Sequence, residues 1–137
     1  MMPFDKRMLT FPSKTENISL VESLIDNLCD EYKITEDNYG NILVAVTEAV
    51  TNAIQHGNKN DQSKCIHVSF EPEENALSFS ISDEGSGFDY TNLPDPTSPE
   101  NIEKPNGRGI FLMKNLADEI EFQEEGKVVK LRFLKAS

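Results

Sequence analysis

The sequence holds no apolar run approaching the ~18 residues that a membrane-spanning helix needs. Residues 1–10, with Asp5, Lys6 and Arg7 among them, also lack the apolar stretch of a signal peptide. Both absences point to a cytoplasmic protein with no membrane partner. Cations are scarce as well: 13 Lys and Arg stand against 24 Asp and Glu, for a formal charge of −11. Broad attraction to nucleic acid or acidic lipid needs clustered Lys and Arg, so no direct nucleic-acid binding is expected. A small anionic ligand remains compatible with this charge if a metal ion and a few local cations neutralise it. Cys29 and Cys65 have no metal-ligand spacing, and in a reducing compartment they are small, inert side chains. There is no internal repeat and no dividing linker. The 137 residues are therefore expected to form one domain, 1–137, burying roughly two thirds of the unfolded chain's surface.

What is present is a clear alternation of periods. Residues 6–11 read as a short edge strand closed by Pro12. Ser13-Lys14-Thr15-Glu16 matches a capping box, in which hydroxyl and carboxylate satisfy free amides at a helix start. Ile18, Val21, Leu24, Ile25, Leu28 and Tyr32 recur at three- and four-residue steps, predicting an amphipathic helix to about Tyr32. Thr35 is an N-cap candidate, with Glu36 and Asp37 in the first turn. It opens the longest predicted helix, residues 36–56, with an apolar stripe of Leu43, Val46, Val50 and Ile54 and an end at Gly57.

Beyond that helix the period changes to two. Ile66, Val68 and Phe70 alternate with polar residues, and Leu77, Phe79 and Ile81 do the same, predicting an antiparallel pair. Residues 88–106 hold Pro94, Pro96, Pro99 and Pro105 with no sustained period, which predicts a long functional loop. A helix over 108–118 turns Ile110, Met113, Leu116 and Ala117 inward. Ile120 and Phe122, with Val129, Leu131 and Phe133, make a last hairpin around Glu125-Gly126. This order predicts an α+β fold, a two-layer α/β sandwich with helices on one face of a mostly antiparallel mixed sheet.

Three clusters stand out as candidate chemistry. Glu48, Asn52 and His56 step by four residues along the long helix, so they share one side, drifting about 40° per step. Asn52 offers a hard oxygen ligand suited to Mg²⁺, which keeps waters and phosphates as its other ligands. Glu48 could accept or orient the proton of an attacking hydroxyl. Asp83 has the parity of Leu77, Phe79 and Ile81, so a carboxylate follows the core face into Glu84-Gly85-Ser86-Gly87 and needs a donor. Gly107-Arg108-Gly109 precedes Ile110-Phe111-Leu112-Met113, an arrangement that lets free amides approach an anion at a helix start. Each has a plainer reading alone: a solvated polar pair, a turn-capping Asp, ordinary glycines at a helix entry.

Together and in this order, E-A-x-x-N-A-x-x-H-G, D-E-G-x-G-F and G-R-G-I-x-L-M resemble the ATP-binding boxes of the Bergerat-fold (GHKL) superfamily. That superfamily includes gyrase, the ninety-kilodalton heat-shock chaperone, histidine kinases and MutL. The chain is most similar to the anti-sigma-factor serine kinases of bacterial partner switching. The resemblance implies ATP and Mg²⁺ as cofactors, with Asn52 holding the metal, Glu48 as catalytic base and Asp83 receiving the adenine amino group. Gly85 and Gly87 would let the backbone pass close to the base. Gly107 and Gly109 would present amides to the phosphates, Ile110 belongs to the same ATP-contacting run, and residues 89–106 would form the lid. Lys104 and Arg108 are the candidates for phosphate charge. Two positions depart from the family pattern: Pro105 stands where a basic residue is frequent, and Lys127 follows Gly126 where Thr is frequent. His56 receives no chemistry.

The implied function is an ATP-binding regulator with serine/threonine-protein kinase activity. Its protein partners would be a sigma factor, an antagonist carrying a phosphorylatable serine, or both, and relatives of this kind can form homodimers. Two alternatives stand beside it. One is a nucleotide-dependent binding module without meaningful catalysis. The other is a stand-alone histidine-kinase-like catalytic domain acting on a separate phosphoacceptor.

Overall fold

The computed structural model describes residues 6–85, 112–124 and 127–134. Strand β1 (Arg7–Pro12) leads through a short 3-10 turn (Thr15–Asn17) into helix α1 (Ile18–Glu31). The expected capping box does not form: neither helical start has a side-chain cap. Ser13 is buried instead, and its hydroxyl donates to the Lys64 carbonyl at 2.7 Å. The hydroxyl oxygen accepts from Asn58 Nδ2 at 2.6 Å, so both roles of the hydroxyl go to distant segments and its own helix start is left uncapped. At the other end Lys33 takes a φ of 55°, and Ile34 N–H donates to Cys29 O at 2.9 Å, which is the closing bond of a Schellman turn.

Helix α2 (Glu36–Asn52) starts at Thr35 as expected, whose side chain accepts from Asn38 N–H at 3.3 Å. It continues to Gly57, but its last five residues, Ala53–Gly57, form a π-helical turn. Such wide turns recur at functional sites because they re-aim side chains. Val46, Val50 and Ile54 are fully buried, whereas Leu43 is only partly so. Ile42, Ala45, Ala49 and Ala53 widen the buried stripe, because α2 packs against both α1 and the sheet.

The sheet adds β2 (Cys65–Pro72), β3 (Ala76–Ser82), β4 (Glu119–Gln123) and β5 (Val128–Leu134), in the order β1-β2-β3-β5-β4. Every neighbouring pair is antiparallel; no parallel pair occurs among the described residues. Registers such as Phe11↔Ile66, Phe70↔Phe79 and Phe79↔Leu131 put the apolar residues on one face. There they join Val21, Ile25, Leu28, Val46 and Val50 in one core cluster. The opposite face carries Thr10, His67, Ser69, Ser80, Lys130 and Glu121, the alternation of an antiparallel sheet covered on one side. Ser78 shares that outer parity yet is buried, because Arg132 lies opposite it with its guanidinium held by Glu73 (2.7 Å) and Glu119.

Residues 112–116 are helical, with Met113 and Ala117 buried as expected. The first residues of that expected helix, the lid at 89–106 and the Glu125-Gly126 turn lie outside the described residues. No helix among the described residues is long and apolar enough to cross a membrane. Cys29 is buried and free, and burial with the Asp26 carboxylate pushes its thiol up to about 11, which makes it unreactive at neutral pH.

Candidate functional site

Central strand β3 delivers Asp83 to the end of α2. The strand stops at Ser82, yet Asp83 keeps the inward parity and is only 8% exposed. Its backbone N–H donates to Lys127 O at 3.0 Å, and its Oδ1 accepts from Gly85 N–H at 2.9 Å. The residue therefore does cap the turn, and it is buried as well. Burial pushes its carboxyl up, opposed by the Gly85 N–H bond and by the ammonium groups of Lys127 and Lys64. A buried carboxylate with one neutral donor is under-satisfied.

Asp83 lines a cleft with Ala49, Asn52, Ala53, Ile81, Met113, Phe122, Lys127 and Val129. Two of the expected site residues, Asn52 and Asp83, thus meet across one space. Asn52 is 4% exposed, and its Nδ2 has no partner among the described residues. Leaving a buried amide unmatched costs about 1–3 kcal/mol, a cost that a polar ligand in the cleft would remove. Glu48 is half-buried one turn before Asn52, does not line the cleft, and has no ion pair among the described residues. Gly87, Lys104, Gly107, Arg108, Gly109 and Ile110 lie outside the described residues.

Two glycines let the α2 end and the β3 end touch. A Cβ on Gly57 would stand 2.2 Å from Asp83 Oδ2, and one on Gly85 would stand 1.8 Å from Gly57 O. Gly57 is therefore more than a helix stop: it makes room for the carboxylate. Lys127, a departure from the family pattern, lies at the cleft beside Asp83.

Asn58 is the residue that sequence reasoning missed. It is 2% exposed; its Nδ2 donates to Ser13 Oγ (2.6 Å) and Cys65 O (3.0 Å), while its Oδ1 accepts from Glu84 N–H (2.8 Å). One amide thereby ties the ends of β1, β2, β3 and α2 together. Its sequence signal was slight, an Asn after a helix-ending Gly, which reads first as a turn.

His56 sits in the π-helical turn, its Nε2 buried and without a partner among the described residues. Burial lowers its pKa below the ordinary 6.5, so the unfolded state binds the proton more readily. Stability is therefore full above about pH 6.5 and falls as the pH drops through the folded value. Urea melts at pH 7.5 and 5.5 are expected to show an acid loss that His56→Gln reduces; an identical loss in the variant would assign it to other groups.

A broader depression on β4 and β5, lined by Glu73, Glu119, Ile120, Glu121, Lys130 and Arg132, contains none of the motif residues. Arg132 is already paired there with Glu73 and Glu119.

Residues 11–133 match the family described as the histidine kinase-like ATPase domain. Fold and motif order define that class, and the chain belongs to this family. More particularly, it is 30% identical over 133 residues to the serine-protein kinase RsbW of Bacillus cereus (strain AH820), covering 92% of this chain and 82% of that protein. The proteins of the same name from Bacillus anthracis (strain CDC 684 / NRRL 3495) and Bacillus thuringiensis (strain Al Hakam) match at 30% identity and the same coverage. Among solved structures, the RsbU and RsbW domains of Rv1364c from Mycobacterium tuberculosis share the fold, with a TM-score of 0.69 at 16% identity. That match covers 96% of this chain and 33% of that one, so this chain spans about a third of its length.

Proposed function

We propose that this protein binds ATP with Mg²⁺ and phosphorylates a serine on an antagonist protein, as the kinase of an anti-sigma-factor-type switch in the cytoplasm. The observation that carries the reading is the pairing of two under-satisfied polar groups, the Asn52 amide and the Asp83 carboxylate, across one cleft of an ATPase-family fold. Asp83 suits a purine amino group, since a carboxylate only accepts and Ala49, Ala53, Ile81, Met113, Phe122 and Val129 give the cleft apolar walls for a ring. Asn52 would hold Mg²⁺, whose charge offsets the phosphates that a chain of −11 would otherwise repel. Gly85 lets the backbone approach the base, and Gly87 has the same role. Gly107, Gly109 and Ile110 are the proposed amide donors to phosphate, with Lys104 and Arg108 as its cations. Glu48 takes the serine hydroxyl proton as the new O–P bond forms and the bond to ADP breaks.

A second reading, an ATP-dependent binding module that grips a sigma factor or other regulator, is favoured by the position of Glu48 away from the cleft lining. Mixing purified protein, γ-labelled Mg-ATP and the antagonist encoded beside it separates the two. Label transfer to serine is expected, and Glu48→Gln is expected to slow it about 10²–10⁴-fold while leaving ATP affinity unchanged. No transfer by either protein, with ATP bound by both, would discard catalysis in favour of the binding module.

A further inference from the structure

The turn that follows Asp83 is held from outside the cleft. Glu84, exposed and next to Asp83, turns its carboxylate back onto β2: Oε1 accepts from Cys65 N–H at 2.9 Å, and Oε2 meets His67 Nε2 at 2.8 Å. His67 Nδ1 in turn meets Thr10 Oγ1 on β1 at 3.1 Å. Since Asn58 holds the Glu84 N–H and Asp83 Oδ1 holds the Gly85 N–H, the backbone of this turn is fixed at both residues.

We propose that Glu84 and His67 are positioning residues for the ligand cleft. They form a clamp that holds the Asp83–Gly85 turn in its binding geometry. This rests on the nucleotide reading of the cleft and adds two positioning residues to it. The Thr10 hydroxyl extends the chain to β1, so the imidazole ties the turn to β2 and β1 together. Among the described residues, Lys64 is the further charge acting on Glu84, and Cys65 stands beside it on β2. Lys64 and the two hydrogen bonds keep Glu84 ionised, its carboxyl held below the ordinary value chiefly by Cys65 N–H and then by His67.

The pair is exposed, so its effect is modest. The test is a titration of the full chain with MgADP, with amide exchange at Gly85 followed in parallel. Glu84→Ala removes both acceptors and is expected to weaken ADP about ten-fold and to speed Gly85 exchange. His67→Ala removes the donor to Oε2 and is expected to weaken ADP about three-fold. His67→Gln keeps a donor to Glu84 and is expected to restore the wild-type affinity. Variants that all bind and exchange like the wild type overturn the clamp while leaving nucleotide binding in place. A wild type that binds no ADP overturns the nucleotide reading, and the affinity claim with it, even if Gly85 exchange still responds to Glu84→Ala.

Discussion

Asp83→Asn is expected to bind ATP at least about a hundred-fold more weakly than the wild type, while melting no lower at neutral pH. The affinity loss follows from polarity. With the Asn oxygen kept on Gly85 N–H, a purine amino group would face the Nδ2 donor in place of an acceptor, and sites built for one hydrogen bond reject its loss strongly. The stability side follows from linkage. Burial raises the Asp83 carboxyl above the ordinary 3.8, so the folded state holds its proton more tightly than the unfolded one. Its favourable contribution is full below that ordinary value and is lost as pH rises through the folded value. An ionised Asp83 is an under-satisfied buried charge, and Asn removes it. The variant's Oδ1 still accepts from Gly85 N–H, so the turn survives. Nucleotide titration and a thermal melt of the same sample check both halves. A variant that melts lower yet keeps its affinity would make Asp83 a turn cap and nothing more.

Gly85→Ala is expected to lower stability by about 2–3 kcal/mol and to remove ATP binding altogether. Its new methyl would meet the Gly57 carbonyl oxygen at 1.8 Å. That atom is backbone, so the α2 end and the β3 end must separate. Gly57→Ala meets the Asp83 side chain instead, at 2.2 Å from Oδ2. The carboxylate can swing away, so the expected stability loss is smaller while the binding loss is as large. Gly40→Ala is the control: nothing lies within 4 Å of its added methyl, and the helix interior should gain up to about 1 kcal/mol. Urea denaturation of the three variants reads the order directly. A harmless Gly85→Ala would mean that the two chain ends are not in this contact.

The parts of this structure legible in the sequence are those set by a period. The alternation of Ile66, Val68 and Phe70 against Leu77, Phe79 and Ile81 becomes the register Val68↔Ile81 and Phe70↔Phe79. The same parity, carried two residues past Ile81, puts Asp83 into the core before any contact is known. The α2 stripe was legible for Val46, Val50 and Ile54. It missed Ala45, Ala49 and Ala53, because alanine marks a face by smallness where helices approach closely, and hydrophobicity alone does not show it.

What was not legible depends on contacts between distant segments. Ser13 has a capping-box neighbourhood, but Lys64, far along the chain, claims its hydroxyl. Asn58 reads as a turn residue and proves to be the buried junction of four elements. Glu84 reads as one more acid in an acidic chain, and its partners Cys65 and His67 become visible only when β2 and β3 are paired. Gly57 reads as a helix stop because the carboxylate that excludes a side chain there comes from the end of β3.

Calorimetric titration of the 137-residue chain with ATP, with and without Mg²⁺, bears most directly on the pairing of Asn52 with Asp83. Saturable one-to-one heat, competed by ADP, strengthened by Mg²⁺ and abolished in Asp83→Asn, is the predicted result. An absence of heat, with no competition by ADP at any Mg²⁺ concentration, would contradict it.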